Sequence, residues 1–161
     1  MQEIASASGI EVSIAPILED SEGRMSSSRI RSALKEGDLE TAEKLMGRAY
    51  RFQGNVVTGR GLGRRLGWPT ANLQVDGRKF LPKQGVYAAL VWTSDKTLPF
   101  SSVMNLGPQP TVDPTAPSAV EVHLLDKEIN LLGEELIIEP VHRIRFQKKR
   151  INIYYSIFIS C

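Results

Sequence analysis

The segment YRFQGNVVTG, residues 50–59, is the first of five runs rich in β-branched and aromatic residues that follow one another along the chain. The others are GVYAALVWTS (85–94), FSSVMNLG (100–107), SAVEVHLLD (118–126) and EELIIEPVHRI (134–144). Turn residues separate the runs, and no long helical pattern lies between them. Such spacing is typical of a compact antiparallel barrel or Greek key. The sequence therefore predicts a mainly β domain that begins at about residue 47.

Two short helices are predicted immediately before this domain. SSSRIRSALKEGD (26–38) opens with serines that can cap a helix, and its helical spacing of apolar residues ends at Gly37. DLETAEKLMG (38–47) repeats the arrangement, with Asp38 as the N-cap and Gly47 as the terminator. Two helices of this length cannot enclose much core by themselves.

Composition narrows the class of protein. The chain has 161 residues, 20 basic and 18 acidic side chains and a net charge of +2, so no strong overall charge indicates a nucleic-acid partner. Its one cysteine is the last residue, which excludes a disulfide within the chain and favours a reducing compartment. No apolar run approaches the ~18 residues that a membrane-spanning helix needs. These features predict a soluble cytoplasmic protein.

The glycine-rich segment GRGLGRRLGWPTANL, residues 59–73, is the first candidate binding site. No Gly-Lys-Ser/Thr follows the glycines, as a Walker P-loop would require, and a proline enters where the helix of a dinucleotide fold would continue. A glycine-rich turn still lets backbone amides approach an anion, and Arg60, Arg64 and Arg65 add positive charge. A plain flexible basic loop remains the alternative, because such loops are common.

The end of that segment carries two candidate metal ligands. Pro69 favours an extended chain before it, and in an extended chain Thr70 and Asn72 lie on the same side. A hydroxyl and an amide oxygen are hard, neutral ligands of the kind that Mg²⁺ accepts. The alternative is that both side chains only form hydrogen bonds within the turn.

The run SAVEVHLL, residues 118–125, carries a candidate general base. Val120 and Val122 belong to its apolar face, and Glu121 and His123 to the opposite one. A carboxylate on such a face can accept a proton from an alcohol, although an ordinary exposed strand glutamate has the same pattern. The sequence shows no zinc-like spacing of His and Cys and no Ser-His-Asp set.

Several of these motifs, in this order, resemble one family. GRGLGRRLGWPTANL, LPKQGVYAA (81–89), VMNLGPQPTV (103–112) and VEVHLLD (120–126) are similar to the riboflavin kinase module of bacterial bifunctional riboflavin kinase/FAD synthetases. The resemblance covers about residues 47–145. Residues 26–50 resemble the end of the adenylyltransferase module that precedes the kinase in these proteins. The chain therefore divides, on this resemblance, into an adenylyltransferase remnant at 1–46 and a kinase-like barrel at 47–161.

The resemblance implies a six-stranded Greek-key barrel that binds MgATP on one side and riboflavin on the other, and forms FMN and ADP. It also implies a role for eight residues. Gly59, Gly63 and Arg64 would shape the turn around the ATP phosphates, Thr70 and Asn72 would bind Mg²⁺ and ATP, Glu121 would be the catalytic base, His123 would lie near the nucleotide, and Arg145 would face the flavin. The adenylyltransferase module is the expected partner in a full-length protein.

Two departures from the family pattern affect the function. The His-x-x-His-type motif of the adenylyltransferase is missing, since the two histidines of the chain both lie in the kinase-like part. FAD synthesis by this chain alone is therefore not expected. After about residue 146 the family continues with an acidic amphipathic helix, whereas this chain reads FQKKRINIYYSIFISC. We interpret that ending as a truncated or altered tail.

The prediction from the sequence is thus a Mg²⁺-dependent riboflavin kinase. One alternative is a flavin- or nucleotide-binding barrel that the altered tail has made non-catalytic. A second is a basic nucleic-acid-binding module that uses the arginines of residues 59–65 and the lysines near residue 148, against which the near-neutral charge argues.

Overall fold

The computed structural model of the chain describes residues 11, 13, 16–59, 69–95, 97–107, 120–127 and 129–146. Within these residues lie two helices and eight strands. They are, in chain order, β1 Glu19–Asp20, β2 Gly23–Arg24, α1 Ser27–Glu36, α2 Leu39–Met46, β3 Phe52–Val57, β4 Ala71–Val75, β5 Gly85–Trp92, β6 Phe100–Leu106, β7 Val120–Leu124 and β8 Glu135–Arg145. Neither helix has the length and apolar character needed to cross a bilayer.

Six of the strands close into a barrel in the order β3-β4-β7-β6-β5-β8, and every neighbouring pair is antiparallel. β5, β6 and β7 are consecutive neighbours, and β8 returns to lie beside β5, which is the Greek-key arrangement. The predicted mainly β barrel, preceded by two short helices, is therefore confirmed. The sixth strand, β4, lies at the end of the glycine-rich segment rather than in one of the five runs.

The interior of the barrel is filled by the alternate residues of each strand. On β7, Val120 and Val122 are each 1% exposed, whereas Glu121 and His123 lie half-buried on the outer face. Large apolar side chains from other strands, such as Tyr87, Met104 and Ile138, are fully buried with them. Because side chains alternate with a period of two, the residues between them lie on the outer face of the barrel. Ser102 is a polar residue of the inner face, and its hydroxyl donates to the Ala89 carbonyl at 2.9 Å.

The two helices have the predicted caps. The Ser26 hydroxyl accepts from the Arg29 amide at the start of α1, and the Asp38 carboxylate accepts from the Thr41 amide at 2.9 Å at the start of α2. Gly37 and Gly47 end the two helices in the left-handed conformation that glycine adopts without steric cost.

The helix pair packs on the barrel. Leu39 contacts both the small core between the helices and the barrel core, which joins the two clusters. The Lys83 amide donates to the carbonyl of Leu34 at 2.9 Å, and the Lys83 ammonium pairs with the Glu36 carboxylate at 2.8 Å. That ammonium lowers the pKa of Glu36. The pair is therefore attached to the segment that leads into β5.

A hairpin of β1 and β2 precedes the helices. The Arg29 guanidinium holds it, since it donates to both carboxylate oxygens of Asp20 and to the Glu22 carboxylate at distances of 2.8 to 3.0 Å. Ile17 and Leu18, just before the hairpin, are 61% and 66% exposed. Exposed apolar side chains thus precede the hairpin.

Candidate active site

One row of paired residues runs across all six strands of the barrel and contains three of the eight predicted site residues. Its members, in order from β3 to β8, are Val57, Asn72, Glu121, Asn105, Val86 and Arg145. The row does not close on itself, because β3 pairs with β8 at residues 135–138 whereas the row reaches β8 at Arg145. This stagger is the strand tilt that closing a barrel requires.

Asn72 and Glu121 are directly opposite each other in this row. Both side chains are half-buried on the outer face, because their neighbours Leu73 and Val122 are buried in the core. Directly opposite residues of an antiparallel pair have Cβ atoms about 5 Å apart. The structure therefore brings together the predicted base and one of the predicted metal ligands.

The Asn72–Glu121 pair lies near the start of both strands. β4 and β7 overlap only through residues 71–73 and 120–122, and Asn72 and Glu121 are the second residues of their strands. Because the strands are antiparallel, β4 begins at one end of this overlap and β7 begins at the other. In the sequence, the glycine-rich motif precedes β4 and the proline-rich stretch 107–119 precedes β7.

The turn before β4 is fixed to β7 by a histidine. The Nδ1 atom of His123 lies 2.9 Å from the carbonyl oxygen of Pro69. A carbonyl oxygen only accepts hydrogen bonds, so Nδ1 of His123 carries the proton in this contact. His123 thus holds the residue that precedes Thr70, and Thr70 is half-buried beside it.

Gly59 lies against the Asn72 side chain. A Cβ atom added at Gly59 would lie 2.5 Å from Cγ of Asn72 and overlap its amide nitrogen. The start of the glycine-rich segment therefore approaches the predicted metal ligand as closely as its backbone allows. Gly63 and Arg64, the other two residues predicted to shape this turn, lie outside the described residues.

Arg145 is not part of this cluster. It pairs with Val86 and is separated from Glu121 along the row by β6 and β5. Neighbouring strands are about 4.8 Å apart, so the two backbones are about 14 Å from each other along the row. The predicted residues thus fall into a compact group at β4 and β7 and a single arginine farther round the barrel.

An open cleft lies beside the end of β8. It has a volume of about 460 Å³ and is lined by Lys35, Phe80, Leu81, Pro82, Lys83, Gln84, Leu106, Gly107, Arg143 and Phe146. Leu106 follows Asn105 of the row, so the cleft adjoins the part of the row between Glu121 and Arg145. The Arg143 guanidinium donates to the Gln84 carbonyl at 2.8 Å and stacks over the Phe146 ring at 4.2 Å.

The hydroxyls of two tyrosines fix one wall of this cleft. The hydroxyl of Tyr87 donates to the carbonyl of Lys83, and the hydroxyl of Tyr50 donates to the carbonyl of Phe80 at 2.6 Å. Burial raises the pKa of both tyrosines, so both remain protonated donors at neutral pH. The segment 80–84 is therefore fixed from the barrel as well as from the helix pair.

The donor chemistry fits Mg²⁺ that is bound jointly with phosphate. Among the described residues, no group of three or more His, Cys, Asp or Glu side chains could hold a metal by itself. Thr70 and Asn72 offer neutral oxygens, and an ion bound through them needs further anionic ligands from elsewhere, which a nucleotide phosphate can supply.

Two residues of the site were missed by the sequence analysis. Asn105 faces outward because Met104 and Leu106 are buried, which the alternation in VMNLG already indicates. Its position beside Glu121 depends on the pairing of β6 with β7, which no local pattern reveals. Arg143 lines the cleft where β8 is irregular opposite Val86–Ala89, and Pro140, at the register shift beside Ala89, is the sequence signal of that irregularity.

Comparison with known proteins agrees with this barrel and its motifs. The family described as "Flavokinase: Riboflavin kinase" matches residues 46–153. Three curated relatives are bifunctional riboflavin kinase/FMN adenylyltransferases. That of Haemophilus influenzae is 40% identical over 126 residues (78% of this chain, 40% of the relative), that of Escherichia coli K12 38% over 127 (78% and 39%), and that of Bacillus subtilis 35% over 134 (82% and 42%). The chain spans about two fifths of the length of these relatives.

A solved structure extends the likeness to the fold. A crystal structure from Streptococcus pneumoniae, described as that of a macrolide-efflux protein, superposes with a TM-score of 0.78 at 31% identity and covers 97% of this chain and 50% of the other. The family match covers well over half of the 161 residues, and it includes both strands that carry the Asn72–Glu121 pair. The chain belongs to the riboflavin kinase family.

Proposed function

We propose that this chain transfers the γ-phosphoryl group of ATP to the 5′-hydroxyl of riboflavin and so forms FMN and ADP. The observation that carries the proposal is the direct opposition of Asn72 and Glu121 in a member of this family. It puts an amide oxygen suited to a phosphate-bound metal next to a carboxylate suited to accept a proton from an alcohol.

The position of this pair near the start of two strands that follow different segments of the sequence supports a reaction between two substrates. We propose that ATP binds along the glycine-rich segment that leads into β4, and that riboflavin approaches from the side of 107–119. Gly59, Gly63 and Arg64 would contact the phosphates, and His123 would keep the turn at Pro69 in register. The two substrates would then meet at Glu121.

Phosphoryl transfer has a loose transition state, so the protein contributes mainly alignment and charge neutralisation. Glu121 would orient the 5′-hydroxyl toward the γ-phosphorus and accept its proton as the new P–O bond forms and the bond to the β,γ-bridging oxygen breaks. Thr70 and Asn72 would hold Mg²⁺, which neutralises charge on the phosphate oxygens. A base of this kind contributes about 10²- to 10⁴-fold to the rate.

We propose that the isoalloxazine ring of riboflavin lies toward Arg145, over the part of the row formed by Asn105 and Val86. The cleft beyond it supports this direction, because it offers the aromatic rings of Phe80 and Phe146. The separation of about 14 Å between Glu121 and Arg145 leaves room for a ribityl chain and a ring system.

The proposal also covers the domain organisation of the chain, its partner module and its cellular compartment. We propose that residues 1–46 are an adenylyltransferase remnant and residues 47–161 the kinase barrel, and that the partner is an adenylyltransferase module. The bifunctional names of the relatives support both proposals. Action in the cytoplasm is supported by the single terminal cysteine.

The test is FMN formation from riboflavin and MgATP, measured by separating the two flavins by chromatography. We expect weak activity from the chain as it stands, and clear activity from a version whose residues after 146 are replaced by an acidic amphipathic helix of the family type. Turnover in neither version, with both folded and both binding ATP, would contradict the kinase function and support the non-catalytic barrel.

A further inference from the structure

The cleft beside the end of β8 is formed jointly by the helix pair and the barrel. Lys35 of α1 lines it together with Leu106, which ends β6, and Phe146, which follows β8. Lys35 lies outside residues 46–153, the part of the chain that matches the riboflavin kinase family. A residue of the helix pair therefore belongs to a cleft whose other lining residues come from the barrel domain.

Contacts with the barrel fix the part of α1 that carries Lys35. Leu34, the residue before it, is 2% exposed, and the Leu34 carbonyl accepts from the Lys83 amide at 2.9 Å. At the end of the helix, Gly37 lies against the Arg143 side chain, since a Cβ added at Gly37 would lie 3.2 Å from Cδ of Arg143. The backbone at Lys35 is thus held at the cleft from both sides.

The residues that line the cleft include three cations and no carboxylate. Two of the cations have partners: the Lys83 ammonium pairs with the Glu36 carboxylate at 2.8 Å, and the Arg143 guanidinium stacks over the Phe146 ring at 4.2 Å. Lys35 lowers the pKa of Glu36 less than Lys83 does, and among the described residues it forms no ion pair. The Lys35 ammonium is therefore available to an acceptor that enters the cleft.

The position of the cleft favours the flavin over the phosphates of ATP. Leu106 adjoins Asn105, which lies on the opposite side of Glu121 from Asn72, where the phosphates are proposed to bind. The volume of about 460 Å³ is within the range of roughly 300–1,000 Å³ that is typical of small-molecule sites.

The chemistry of the lining matches one edge of the isoalloxazine ring. The ring is flat and aromatic, which suits the rings of Phe80 and Phe146, and its pyrimidine edge has two carbonyl oxygens that accept hydrogen bonds. We infer that the pyrimidine edge of riboflavin lies in this cleft and that the Lys35 ammonium donates to one of its carbonyl oxygens. The helix pair thereby contributes to the flavin affinity of the kinase barrel. This inference rests on the proposed kinase function.

The first experiment measures riboflavin binding by equilibrium dialysis, in the chain as it stands and in the version with the family-type helix. Lys35→Ala should raise Kd by about threefold to tenfold, because a hydrogen bond from a charged but exposed donor is lost. Lys35→Arg keeps a charged donor and should stay within about twofold of the wild type. Lys44→Ala is the matched control, since this exposed lysine of the helix pair contacts Glu40 and does not line the cleft. An unchanged Kd in Lys35→Ala would overturn the inference.

The second experiment identifies the part of the flavin that Lys35 contacts. Lumiflavin has the ring but no ribityl chain, and FMN adds a phosphate to that chain. Lys35→Ala should weaken the binding of lumiflavin, riboflavin and FMN by the same factor. A loss for riboflavin without a loss for lumiflavin would assign Lys35 to the ribityl chain and overturn the inference. So would a larger loss for FMN, which would make Lys35 a phosphate-binding residue.

FMN formation by the same variants separates this inference from the kinase proposal. In Lys35→Ala, KM for riboflavin should rise while kcat changes less than about twofold, because the ring edge is remote from the phosphoryl group that is transferred. If the wild type binds riboflavin and forms no FMN, the kinase proposal fails and the dialysis still decides the role of Lys35. If neither version of the wild type binds riboflavin, the inference is overturned.

Discussion

Asn72 and Glu121 are strand partners although 49 positions separate them in the sequence, and each is the second residue of a five-residue strand. The two strands share only three paired positions, so the pair lies where both strands begin. The proposed base and one proposed metal ligand are therefore direct neighbours on the outer face of the barrel.

Glu121→Gln should abolish most turnover without unfolding the barrel. The amide keeps the shape and much of the hydrogen bonding of the carboxylate but accepts no proton, so kcat for FMN formation should fall by roughly 10²-fold or more. Affinities for ATP and riboflavin, measured by calorimetry, should change little. Near-wild-type kcat would make Glu121 an ordinary strand residue and remove it from the mechanism.

Thr70→Ala and Asn72→Ala should each make turnover more dependent on Mg²⁺. Each removes a neutral oxygen proposed to hold the ion against the phosphates, so the Mg²⁺ concentration for half-maximal rate should rise. Far-UV circular dichroism should show that the barrel persists. If both variants keep the wild-type rate at limiting Mg²⁺, the two side chains only stabilise the turn.

Gly59→Ala should resemble Asn72→Ala in the same assay. The new methyl group would overlap the Asn72 amide, so either that amide or the glycine-rich segment has to move. Gly77→Ala is the matched control, since no heavy atom lies within 4 Å of its added Cβ. A rate and Mg²⁺ dependence equal to those of Gly77→Ala would show that Asn72 can move aside without loss of function.

Leu34→Ala should loosen the helix pair from the barrel. Leu34 is 2% exposed, and removing such a side chain costs about 2–5 kcal/mol where the surroundings do not relax. The Lys83 amide, which donates to the Leu34 carbonyl, should then exchange faster with deuterium, while the amide of Val91 in β5 stays protected. Leu98→Ala, at a residue 76% exposed, should change neither. Equal exchange at Lys83 in all variants would mean that the helices do not hold this segment.

The stabilisation of α2 by Asp38 should depend on pH. The hydrogen bond from the Thr41 amide lowers the pKa of Asp38 from its usual value of 3.8, so the contribution is complete above that value and is lost as the pH falls through the lower folded-state value. At pH 7, Asp38→Ala should cost about 1 kcal/mol of unfolding free energy in urea. The cost should shrink below pH 4. A cost independent of pH would show that the charge of the cap contributes nothing.

The sequence by itself determined the local features of this protein. The caps at Ser26 and Asp38, the glycine ends of both helices, and the assignment of Val120 to the core and Glu121 to the outer face all follow from residues close together in the chain. Capping and alternation are short-range effects of backbone geometry, so they can be predicted without knowledge of the fold. The family motifs added the identity of the barrel and of its candidate residues.

Only the tertiary structure decided which of these residues meet. Alternation puts Asn72, Asn105, Glu121 and Arg145 on outer faces, but it says nothing about register between strands that are far apart in the sequence. The strand order β3-β4-β7-β6-β5-β8 and its stagger make Asn72 and Asn105 the two neighbours of Glu121 and leave Arg145 beyond β5. A shift of one residue in any pairing would turn an outward side chain into the core, so burial of the whole barrel interior fixes the register.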